Sequence, residues 1–209
     1  MKDIPKSHLV LLVLVISTIL WSGIGVVDTY LTWVLEAAPA LVGLLVLLLT
    51  YNKFRMPTYL YALMAFHMAV LLVGAHYSYA KVPLGFWMED WFGFTRNNYD
   101  KIGHFMQGFT PYLACRQLLA VRGVKQTGFF PIFLAVSVSL AVSALYELIE
   151  YSTCVFSVDG ADDFVGSQGD PFDTQTDMLG AFIGALAAVF IFLKFRWKTN
   201  LNSCDETGC

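Results

Sequence analysis

Charge is scarce in this chain. Lys, Arg, Asp and Glu supply 14% of its 209 residues, against 57% hydrophobic ones, whereas a soluble domain carries about 25% charged residues. That shortage excludes an ordinary solvated surface. Internal repeats and low-complexity tracts are also missing, which excludes repeat architectures and long disordered linkers. Of the four cysteines, only Cys154 is expected on an oxidising side, so it has no disulfide partner within the chain. Cys204 and Cys209 lack the ligand spacing of a zinc site.

Long apolar runs fill the space that charge leaves. A spanning helix needs about 20 mostly apolar residues, and the sequence offers six such segments: 8–27, 30–51, 57–77, 101–121, 129–151 and 173–193. The expected fold is all-α, a polytopic membrane bundle of about six transmembrane helices. A single integral-membrane domain covers 1–200, and 201–209 forms a short tail. Lys2, Lys6, Lys53, Arg55, Arg116, Arg122, Lys125, Lys194, Arg196 and Lys198 fall on one side of this scheme, and Lys81, Arg96 and Lys101 on the other. Basic residues stay on the cytoplasmic side, so both termini are expected there. The first segment reads either as a retained helix or as a cleaved secretion signal, and neither choice reverses the sidedness of the rest.

Two outer connections stand out. Residues 78–100 carry Trp87, Trp91, Phe92 and Tyr99 among breakers Pro83, Gly85 and Gly93, which predicts a short helix or lid along the outer interface. Residues 152–172 are acidic and turn-rich, without the ligand pattern of a calcium-binding helix–loop–helix, and are expected to form an ordered cap or reentrant loop.

Against this background, five carboxylates and a histidine gather at the expected outer ends of three spans: Asp100, His104, Glu147, Glu150, Asp173 and Asp177. An ionised side chain in hydrocarbon costs about 2.5–3.5 kcal/mol on insertion scales. Residues three, four or seven apart share a helix face, which aligns Asp100, His104 and Gln107, then Ser143, Glu147 and Glu150. Asp173 and Asp177 continue into Gly180 and Gly184, a small-residue strip that admits a close helix neighbour. Carboxylates and imidazole converging from several helices make metal sites. The expected ligands of a divalent ion (Zn, Mg, Mn or Fe) are His104, Glu147, Asp173 and Asp177, with Glu150 or Asp100 as general base. A salt-bridged structural network using Arg96 and Lys101 is an alternative, because Asp100 and Asp173 also suit helix N-termini. A proton or cation pathway is another, although the inner halves of the later spans offer mainly Gln107, Thr110, Ser137 and Ser139. His76 is a further candidate ligand, His67, nine residues before it, lies about half a turn round the helix on another face, and Glu36 either approaches the cluster or snorkels outward.

The strings YDKIGHFMQGF (99–109), YELIEY (146–151) and GSQGDPFDTQTDMLGAFIGA (166–185) resemble the YjdF-type family of bacterial inner-membrane proteins. More distantly the pattern is similar to the VanZ-like membrane proteins in Asp100, Lys101, His104, Glu147 or Glu150, and Asp177; the second Glu and the Gly169–Pro171 turn depart from it. The resemblance implies a multi-pass inner-membrane protein with a shared polar centre, and it supplies no reaction. The expected function is metal-assisted hydrolysis or group transfer on a lipid-linked or envelope substrate, from an outward-facing site. Proton- or cation-coupled transport and an accessory structural role are the alternatives. Membrane lipids are the expected partners, nucleic acid is not one, and the oligomeric state is left open.

Overall fold

A computed structural model describes residues 4–156 and 168–195. Its helices are α1 (Lys6–Ser22), α2 (Tyr30–Thr50), α3 (Thr58–Tyr77), α4 (Pro83–Phe92), α5 (Tyr99–Val121), α6 (Phe129–Phe156) and α7 (Asp173–Phe195), with a 3-10 turn at Tyr79–Lys81. The protein is all-α and polytopic: α2, α3, α6 and α7 are each long and apolar enough to cross a membrane. Helix α1 is shorter at 17 residues. Helix α5 carries Asp100, Lys101 and Arg116 and is not in that set.

Two helix ends differ from expectation for local reasons. Gly23 and Gly25 end α1 at Ser22 rather than near 27, and Gly25 takes a left-handed φ of 64° that only glycine adopts cheaply. Helix α6 continues past 151 to Phe156 because no Gly or Pro interrupts Tyr151–Val155. The rest of the expected acidic cap, 157–167, lies outside the described residues. So do the tail cysteines.

The chain divides into two compact units, one made of 1–103 and 147–173, the other of 104–146 and 174–209. In the first unit α1 and α2 both pack on α3. Val15, Ala37, Ala40, Met68, Leu71, Leu72 and Ala75 form the shared core. Val13, Leu20, Leu31 and Leu49 on the opposite faces are more than half exposed, as expected where hydrocarbon is the solvent. Helix α2 starts at Thr29, whose Oγ1 accepts the Thr32 N–H at 3.1 Å, satisfying one of the orphan first-turn donors.

Helix α4 occupies the aromatic connection, where the sequence predicts a short helix. Pro83 opens it and Gly93 closes it in a left-handed conformation with φ 70°, the usual asymmetry of helix ends. Trp87, Trp91 and Phe92 are exposed along it. Asn97 fastens the segment that follows. Its side-chain amide donates to Val82 O at 2.9 Å, and its Oδ1 accepts from Tyr99 N at 3.1 Å. Gln168 grips the Asn97 backbone in both directions, accepting from its N–H at 3.1 Å and donating to its carbonyl at 2.8 Å. A Cβ at Gly85 would overlap the Asn97 side chain, so glycine is required there.

In the second unit α5 and α7 meet through small residues. A Cβ on Gly108 would strike the backbone of Ala181 and Ala185, and one on Gly184 would strike the backbone of Phe105. Ser139 of α6 donates to the Gly108 carbonyl at 2.9 Å. Ala135, Ala181, Ala185 and Ala188 are fully buried. The expected small-residue strip on α7 is thus used at Gly184, with Gly108 as its counterpart. Arg116 is also buried, donating to Gln126 O at 2.6 Å with its guanidinium 4.2 Å from the Phe192 ring centre.

Candidate metal centre

The first unit holds a compact ion-pair network. Arg96 donates to Asp100 at 2.5 Å and to Asp173 at 2.7 Å, and Lys101 donates to the same Asp173 oxygen at 2.8 Å. Asp170 lies 3.5 Å from Arg96. The side chains of Arg96, Asp100 and Asp173 keep only 11–14% of their surface exposed, so water screens these pairs poorly and the bidentate guanidinium ties two carboxylates together. Asp100 and Asp173 also sit in the first turns of α5 and α7, where the helix dipole favours an anion. The Asp100 carboxylate accepts the Lys101 backbone N–H at 2.7 Å. These two expected members of the acidic cluster are therefore held by cations of the chain itself.

The second unit holds a different arrangement. His104 Nε2 stands 3.6 Å from Asp177 Oδ1, and the residues are only 4% and 2% exposed. The Tyr146 ring packs edge-on against the imidazole, with centroids 6.0 Å apart. Gln107 and Ser143 are buried as well. Local sequence explains the placement. Phe105 and Gly108 bring α5 onto α7 at Gly184, so His104, the residue before Phe105, is carried toward the first turns of α7. Two atoms that ligate one zinc ion at about 2.1 Å each stand no more than about 4.2 Å apart, so this pair admits a shared ion.

Glu147 follows Tyr146 directly on the unbroken α6 and is 5% exposed. Glu150, one turn further on, is half-buried. The expectation of a site open to the outside is corrected here. His104, Glu147 and Asp177 are all buried, His104 and Asp177 where helices α5 and α7 close tightly over glycine and alanine.

Other expected candidates have separate tasks. His76 is bound into the α1–α3 contact, its Nδ1 3.1 Å from Ser22 O and its ring against Trp21 and Tyr77. Glu36 does not snorkel: it is 1% exposed inside α2. Outside the candidate set, Asp28 of the α1–α2 connection pairs with Lys81 at 3.5 Å. Sequence reasoning did not find Gly108, Tyr146 or the Asn97–Gln168 clasp. An Asn two residues before a helix was the available signal for the clasp.

The family model described as "Predicted membrane protein (DUF2238)" matches residues 7–198. The inner membrane protein YjdF of Escherichia coli (strain K12) is 44% identical over 184 residues, covering 86% of each chain. The chain belongs to this family. It is a multi-pass inner-membrane protein, and the DUF2238 match takes in every helix from α1 to α7. No solved structure matches.

Proposed function

We propose that this DUF2238 protein is a metal-dependent inner-membrane enzyme whose ion is held by His104, Asp177 and Glu147. The observation that carries the reading is the buried His104–Asp177 pair at 3.6 Å. Support comes from the donor types. His104, Glu147 and Asp177 are each buried and each offers a ligand atom, and the less buried Asp100 and Asp173 offer carboxylate oxygens as well. One imidazole with carboxylate oxygens suits Zn, Mn, Fe or Mg. A divalent ion would supply Lewis acidity toward a phosphoryl or acyl oxygen, or a bound water of lowered pKa. In this reading Asp173 serves as an outer ligand or as the anchor of Arg96 and Lys101. Glu150, half-buried one turn beyond Glu147, is the general base for hydrolysis or group transfer on a lipid-linked or envelope substrate. Asp100 is the weaker choice for that task, since its carboxylate is already engaged by Arg96.

The same proposal includes six spans, α1–α3 and α5–α7, in one integral-membrane domain over 1–200. Both termini are cytoplasmic, as the distribution of basic residues favours. The distant VanZ-like relation is part of the proposal and rests on the Asp100-Lys101-x-x-His104 spacing.

Elemental analysis of detergent-purified protein tests the reading: the wild type carries stoichiometric metal, and Asp177→Asn and His104→Gln lose it while remaining folded. A folded, metal-free wild type would overturn it. The ion pairs of Arg96 and Lys101 with Asp100 and Asp173 favour a second reading, an accessory protein held together by its polar network. In that case Asp177→Asn lowers yield and changes no metal content.

A further inference from the structure

In the first unit, away from the acidic residues, α1, α2 and α3 leave a cavity of about 210 Å³. Its wall is apolar, including Leu12, Val15, Leu47, Ala65 and Met68, and its other end is polar, with His8, Tyr51, Asn52 and Tyr61. The polar end is a built structure. His8 is 8% exposed and its two ring nitrogens lie 2.7 Å from Tyr51 Oη and 2.9 Å from Thr58 Oγ1. The rings of His8 and Tyr61 are 4.7 Å apart. The Arg55 guanidinium lies 4.8 Å from the Tyr51 ring centre. Lys53 follows the lining residue Asn52, and Lys6 precedes the lining residues His8 and Leu9. A greasy slot that ends at Tyr51, with Arg55 over its ring and Lys6 and Lys53 within two residues of the lining along the chain, has the polarity of an amphiphile with an anionic head.

We infer that the α1–α2–α3 cavity binds one acyl chain of an anionic phospholipid, whose phosphate is held at Lys6, Lys53 and Arg55. Charge complementarity selects this occupant. A zwitterionic lipid gains less from three cations, and a free phosphate leaves the apolar wall unfilled, so neither source meets both ends of the site. The bound chain bridges three helices, and so stabilises the folded state by mass action.

Thermal unfolding of the full chain in detergent tests the inference. Phosphatidylglycerol raises the wild-type Tm by several degrees, phosphatidylcholine raises it by less than half as much, and inorganic phosphate leaves it unchanged. Ala65→Phe, which fills the slot, and Arg55→Gln, which removes a head contact, each abolish the phosphatidylglycerol-specific rise. Equal stabilisation by phosphatidylcholine or inorganic phosphate, or an undiminished rise in Ala65→Phe, overturns the inference. Should Ala65→Phe fail to fold, phosphatidylglycerol bearing a photoreactive acyl chain is bound to the wild type in detergent and the cross-linked residues are mapped. Label at Leu12, Leu47 or Met68 supports the site, and label confined to the outward faces of α1 and α2 refutes it.

Discussion

Substituting Gly184 by alanine tests both the packing of the second unit and the candidate centre. The new Cβ would lie 2.9 Å from the carbonyl carbon of Phe105 and 3.2 Å from its Cα, and would overlap its carbonyl oxygen. Carbon atoms pack at about 3.5–4.0 Å, and a helical backbone has no rotamer by which to retreat, so α5 and α7 must separate by about 1 Å. Overpacking of this kind costs about 1–3 kcal/mol, and a backbone clash belongs at the upper end. For a chain of this size that corresponds to a Tm lowered by about 5–10 °C. The displacement falls on the residue beside His104. Opening the 3.6 Å His104–Asp177 gap by about 1 Å takes it past the roughly 4.2 Å that two ligands of one zinc ion can span, so metal content falls at least about tenfold, which is only about 1.4 kcal/mol of binding. The assay is thermal unfolding in detergent beside elemental analysis, with Gly123→Ala as comparison. Gly123, unlike the helical Gly184, has a left-handed φ, 75°, and nothing lies within 4 Å of its added Cβ, so that variant loses about 1 kcal/mol and keeps its metal. A Gly184→Ala protein with wild-type Tm and metal content would refute the reasoning.

Further outcomes follow from the first unit. Arg96→Met leaves Asp100 and Asp173 with Lys101 and costs about 3 kcal/mol, the range for breaking a poorly solvated ion pair by removing one partner; denaturant or thermal unfolding measures it. Lys101→Met costs less, because its side chain is 25% exposed and solvent already screens it. Asn97→Ala removes the bonds to Val82 and Tyr99 and costs about 2–3 kcal/mol; limited proteolysis then cuts within the α4 segment faster than in wild type.

Much of the helical layout was legible because apolar runs of spanning length are a strong signal. The starts at Tyr30, Thr58, Phe129 and Asp173 fall within a residue of expectation. The end of α1 was less legible, since hydropathy continues through Ile24 and Val27 while the glycines break the helix. The acidic positions were readable as three helical stripes, but spacing along one helix does not say which carboxylate meets which cation. Arg96 belongs to a connection by sequence, yet it reaches Asp100 and Asp173. Asp177 is only four residues from Asp173 and instead meets His104. Gly108 was hidden because a lone glycine in a helix has no partner until the opposing helix, with Gly184, is known.

The burial of a polar α5 also bears on how the chain is made. A charge near a helix centre adds about 2.5–3.5 kcal/mol to insertion; α5 bears Arg116 in its inner half, Asp100 and Lys101 in its first turn, and His104, Gln107 and Gln117 besides. Leaving the translocon alone, it has little reason to stay in lipid. The partners that wrap it, α6 through Ser139 and α7 through Gly184, are synthesised afterwards. On the six-span proposal, a ribosome that stops after residue 128 should therefore release a chain whose fifth helix slips back into water, and full membrane anchoring of this helix waits for the last one to emerge.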